Sequence, residues 1–165
     1  MGAAMAEKID RLLTGAGVLV TLAGGSRGAR TGAAMKDLGL VADGAVAIRD
    51  GRVVATGAAA ELAGRFEAAE TTDVGGRLVM PGFVDPHTHL PFAATREAEF
   101  EMRVQGKTYL EIAAAGGGIR SSVRSLREQS REDLVDRMMG WADGFLRQGT
   151  TTLEAKSGYG LRLED

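Results

Sequence analysis

The chain has only two histidines, His87 and His89, and they close the apolar run Pro81-Gly82-Phe83-Val84-Asp85-Pro86. In a strand, side chains two residues apart leave the same face, so both imidazoles can converge on one ion; on a helix they would diverge by roughly 200°. Pro86 fixes its own φ and donates no backbone hydrogen bond, which suits a strand end facing a cavity. The pattern asks for a strand whose C-terminal end carries chemistry, where βα proteins place their active sites. Taken alone a His-x-His pair is a weak sign of metal, and surface or capping histidines are its common alternative.

The sequence that follows supports an α/β reading. Residues 108–115 predict a helix ending at Gly116-Gly117-Gly118, and Ser130-Arg131-Glu132-Asp133 opens a longer one as a variant capping box. Behind it Leu134, Val135, Met138, Met139, Ala142, Phe145 and Leu146 recur on one helical face, and Gly149 provides the stop. Thr150-Thr151-Thr152-Leu153-Glu154 is β-branched and predicts a second strand, so residues 81–165 read as the first units of a βα series.

Residues 1–80 have a different texture, that of a small β domain. The apolar stretch 12–22 is broken by Gly15 and Gly17, which predicts a bulge or a close backbone approach. Residues 24–39 predict a surface loop. Apolar runs at 45–49 and 52–56 flank Asp50-Gly51, the signature of a type I′ hairpin. Residues 58–68 suit a short helix, and 71–80 return to extended chain with a turn at Gly75-Gly76.

Composition narrows the chemistry. Lys plus Arg number 20 against 22 Asp plus Glu, a net charge of −2, so neither nucleic acid nor an anionic membrane is an expected partner. There is no cysteine, which removes disulfides, thiolate metal sites and cysteine nucleophiles, and a cytoplasmic location is expected. Any metal must be held by imidazole or oxygen. No apolar run approaches the ~18 residues of a membrane span.

Several separated motifs carry a family resemblance. They are Met80-Pro81-Gly82-Phe83-Val84-Asp85-Pro86-His87-Thr88-His89, Arg96-Glu97-Ala98-Glu99-Phe100-Glu101-Met102-Arg103, Gln105-Gly106-Lys107-Thr108-Tyr109, Ala115-Gly116-Gly117-Gly118-Ile119 and Glu154-Ala155-Lys156-Ser157-Gly158-Tyr159-Gly160-Leu161. Together they resemble the amidohydrolase superfamily of metal-dependent (β/α)8 hydrolases, and within it the branch that opens an imidazolone ring in histidine degradation. The resemblance implies a (β/α)8 TIM-type barrel preceded by a small β-sandwich-like domain. It implies hydrolysis of the cyclic amide of 4-imidazolone-5-propanoate to N-formimidoyl-L-glutamate, with one zinc or iron ion and a homodimeric whole protein. By matching positions it implies His87 and His89 as metal ligands, Arg96 as a substrate-binding residue and Tyr159 as a second substrate contact.

Each residue has a plainer alternative. Arg96 could pair on the surface with Glu97 or Glu99, and Tyr159 could be a packing residue. Glu154 and Lys156 could form a buried pair bracing the second strand, while Asp85 is expected to orient the histidines or cap the strand end rather than bind metal. Gly116-Gly117-Gly118 lacks the residues of a nucleotide loop and predicts a turn near the site.

The implied site needs a third histidine and an aspartate from later strands, and no third histidine is present. Residues 81–165 number 85, whereas a barrel takes roughly 200 or more. The expectation is an N-terminal portion with an incomplete barrel, inactive alone and prone to associate through uncovered apolar surface. Two alternatives stand beside it: another amidohydrolase acting on a cyclic amide or a deaminase substrate, and a non-catalytic module.

Overall fold

In the computed structural model, which describes residues 5–24 and 28–163, the strand β1 (Glu7–Val20) organises everything before Pro81. It pairs antiparallel with β2 (Leu40–Arg49), which turns back into β3 (Arg52–Ala58). Asp50 and Gly51 carry φ values of 53° and 68°, so both central residues of that turn are left-handed, as a type I′ hairpin requires. The register of β1 shifts between Leu13 and Ala16, around Gly15 at φ 70°. A Cβ on Gly17 would lie 2.4 Å from the carbonyl oxygen of Gly76. Of the two expected reasons for glycine here, one residue thus serves the bulge and the other a close approach.

After β3 come a short helix α1 (Ala59–Arg65), β4 (Phe66–Asp73) and β5 (Leu78–Val79). The sheet order is β3-β2-β1-β4 with β5 also beside β1, and both β4 and β5 run parallel to it. The helix expected over 58–68 stops at Arg65, because Phe66 is buried with Ile9, Leu12, Ala45, Ala47 and Leu62 and the chain there joins the β1 ladder. Val46 alternates to the opposite face, where it meets Ala16 and Leu19. In the expected loop 24–39 a 3-10 turn spans Gly32–Lys36; residues 25–27 lie outside the described residues.

The chain divides into two compact units, Met1–Pro81 and Gly82–Asp165. The second begins with β6 (Phe83–Thr88) and continues through α2 (Glu97–Val104), α3 (Tyr109–Ala114), α4 (Ile119–Arg127) and α5 (Arg131–Arg147) to β7 (Thr150–Ala155). β6 and β7 pair in parallel, so this is a strand, helices, strand unit and the chain as a whole is mixed α/β. Ser130 caps α5 as its sequence predicts, and the helix expected over 108–115 forms as α3 with Thr108 as its N-cap, in a complete capping box with Glu111. The apolar face of α5 departs from expectation. None of its residues is buried, and Val135, Met139 and Leu146 are exposed. The buried apolar residues of this unit are Leu90, Ala93, Ile112 and Leu126.

Candidate metal and substrate site

Strand alternation sets up the site. Thr88 is buried and donates its hydroxyl to the carbonyl of Glu154 on β7 at 2.7 Å, while the Lys156 amide donates to the Thr88 carbonyl at 2.9 Å. With Thr88 turned into the β6–β7 contact, His87 and His89 leave on the other side. Their ring centroids are 5.3 Å apart with planes at 62°. The Asp85 carboxylate accepts the His87 backbone N–H at 3.1 Å, so it steadies the pair through the main chain.

His89 also stacks on Tyr159, with centroids 5.0 Å apart and planes at 25°. Its Nδ1 is buried with no hydrogen-bond partner, an unusual state for a polar atom. Two converging imidazoles, one with an unpaired nitrogen, fit part of a zinc or iron donor set. Among the described residues there is no group of three or more His, Asp or Glu side chains placed to hold a metal, so this chain offers part of such a set.

Arg96 stands at the start of α2, and its Nε lies 3.2 Å from Oε2 of Glu99. The pairing with Glu99 thus exists, but Glu99 is buried, unlike a partner in an ordinary surface ion pair. A cavity of about 400 Å³ is lined by His89, Phe92, Ala94, Arg96, Ser122 and Tyr159. The structure thereby brings three of the four candidate residues around one space, with His87 beside His89.

Glu154 and Lys156 do pair, at 2.6 Å, but with side chains 51% and 39% exposed they are not the buried pair that the sequence allowed. The hydrogen bond from Lys156, and then its charge, hold the Glu154 carboxyl below the usual glutamate range. Reading the sequence missed Ser122, which lines the cavity from α4. Its signal was the i, i+4 spacing of Ser122 and Leu126, both buried, obscured by Arg120, Arg124 and Arg127 between and around them.

No protein-family model matches the chain. Curated imidazolonepropionases do match. That of Solibacter usitatus is 52% identical over 157 residues, covering 94% of this chain and 37% of its own length. Those of Symbiobacterium thermophilum and Bacillus velezensis are 50% and 45% identical, each covering 95% of this chain and again 37% of their own. The chain therefore spans a little over a third of the length of these relatives. A crystal structure of an adenosine deaminase from Xanthomonas campestris with bound zinc shares the fold, with a TM-score of 0.59 at 24% identity over 92% of this chain and 30% of that one. The resemblance carried by residues 80–161 is thus a resemblance to the imidazolonepropionases, which share about half of this chain's residues across nearly its whole length.

Proposed function

We propose that this chain carries the first part of an imidazolonepropionase: a metal-dependent hydrolase that opens the ring of 4-imidazolone-5-propanoate to N-formimidoyl-L-glutamate in histidine degradation. The observation that carries the reading is the single cavity shared by His89, Arg96 and Tyr159, with His87 alongside. In this reading residues 1–80 are the N-terminal part of a small β-sandwich-like domain. Residues 81–165 are the first βα units of a (β/α)8 barrel, supported by the parallel β6–β7 pair and by histidines at its C-terminal end.

The reaction adds water across the ring amide. The water oxygen ends on the ring carbonyl carbon, the C–N bond breaks and the departing nitrogen takes a proton, leaving the propionate untouched. Arg96 binds that propionate, because a guanidinium presents paired donors that match a carboxylate. Tyr159, fixed by stacking on His89, offers its hydroxyl to the substrate at the mouth of the strands. His87 and His89 hold one zinc or iron ion, which when bound supplies Lewis acidity and lowers the pKa of water toward about 7. The remaining histidine and aspartate come from outside this chain, and the whole protein is a cytoplasmic homodimer. No helix among the described residues is long and apolar enough to cross a membrane.

The test follows loss of imidazolone absorbance with the full-length protein loaded with zinc or iron. Turnover is expected, with none from the 165-residue chain similarly loaded. Full-length protein that ignores imidazolonepropionate but turns over an uncharged cyclic amide or an aminopurine would transfer the site to another amidohydrolase or a deaminase.

A further inference from the structure

Two features of this unit have no role so far: the buried carboxylate of Glu99 and the run Gly116-Gly117-Gly118. They meet. Oε1 of Glu99 accepts the Gly118 backbone N–H at 2.9 Å, while Oε2 faces Nε of Arg96 at 3.2 Å. A Cβ on Gly117 would lie 2.8 Å from Cγ2 of Ile112 and 3.0 Å from Cδ of Glu99, so glycine is what lets the loop close over the carboxylate. Gly118, at φ 76°, is also the N-cap of α4, whose Ser122 lines the cavity with Arg96. One buried side chain thus ties the start of α2 to the start of α4.

We propose that Glu99 is a positioning residue for Arg96: it holds Nε from behind so that the terminal nitrogens of the guanidinium face the cavity as the fork for the substrate carboxylate. This rests on the reading of Arg96 given above. A guanidinium has five donors in a fixed plane, and fixing its orientation by one edge sets the direction of the others. Arg96 lines the cavity and its side chain is 37% exposed, so the guanidinium is open to a ligand. A carboxylate that accepts one amide N–H and faces one guanidinium charge also accounts for Glu99 lying where glutamate is seldom buried.

The experiment uses the metal-loaded full-length enzyme and two substrates, imidazolonepropionate and the same ring bearing methyl in place of propionate. Glu99→Gln keeps an acceptor for Gly118 but loses the charge facing Arg96. It is expected to raise KM for imidazolonepropionate several-fold, because the guanidinium loses the charge that orients it, with kcat little changed. The methyl analogue should show no change. In an Arg96→Met background the same substitution should have no further effect. If Glu99→Gln does not fold, Glu99→Asp, which keeps the charge but shortens its reach, should show the same selective rise in KM.

Equal losses on both substrates, or additive effects in the double variant, would mean a purely structural role and overturn the proposal. If Arg96→Met raises KM but the Glu99 variants do not, the proposal alone falls. If Arg96→Met leaves KM unchanged, the reading of Arg96 falls and the proposal with it.

Discussion

Glycines in the first unit look alike in the sequence and differ in what surrounds them. Gly17 faces the Gly76 carbonyl at 2.4 Å from where a Cβ would sit, so an added methyl must displace backbone. Gly64, inside α1, meets nothing within 4 Å and has no left-handed φ. Substitution by alanine should therefore have opposite signs. Gly17→Ala is expected to cost about 1–3 kcal/mol, as overpacking does, and Gly64→Ala to gain about 0.5–1 kcal/mol through backbone entropy. Urea unfolding followed on β-sheet signal checks both, and equal effects would show that local space does not govern these positions. The histidines make a sharper residue-scale prediction. Changing either His87 or His89 to Ala in the full-length protein should abolish stoichiometric zinc or iron in the purified enzyme, measured by elemental analysis. Full metal content in both variants would remove them from the ligand set.

Among the elements, α3 offers a pH test. The backbone N–H of Thr108, and then its hydroxyl, hold the Glu111 carboxyl below the ordinary glutamate range. A lowered folded-state pKa stabilises the folded form above the unfolded value, about 4.3, and that contribution is lost as pH falls through the lower folded value. The first turn of α3 should therefore keep its amide protection at pH 5 and lose part of it as the pH falls below the unfolded value, while Thr108→Ala, which keeps the backbone N–H but loses the hydroxyl, should weaken protection at pH 5 and leave a smaller acid-dependent change. Hydrogen exchange at Ile112 and its neighbours reads this, and acid-insensitive protection would contradict it. The turns and caps read from this sequence are legible because their chemistry is local: Asp50-Gly51, Ser130 and Gly149 each act within a few residues. Where long-range packing decides, the sequence is silent. Phe66 leaves a plausible helix for a strand because it is buried against β1, and α4 hides its inward face among arginines. The site divides in the same way. His87 and His89 follow from strand alternation, and Arg96 and Tyr159 from motif resemblance, whereas Ser122 and the Glu99–Gly118 bond depend on helices folding back over a span of 19 residues.

At the scale of the whole molecule, the two units differ in how well they cover their own apolar surface. The first unit encloses Ala47 completely and Leu19 to 2% exposure. The second unit rests on a two-stranded parallel sheet, a type that proteins normally bury on both faces. Here Phe83 and Val84 on β6 are 53% and 66% exposed, and no residue of α5 is buried. Apolar surface of that extent in water favours association. The chain spans a little over a third of the length of its relatives. The 165-residue chain purified alone is therefore expected to self-associate with rising concentration in sedimentation velocity and to bind a hydrophobic dye. Its amide protection should be strong in β1, β2 and β4 and weak in β6 and β7, because opening a sparsely covered element costs little free energy. A monomer that unfolds in one cooperative step, with β6 and β7 as protected as β1, would show that the second unit stands by itself and would favour a non-catalytic module over the opening section of a barrel.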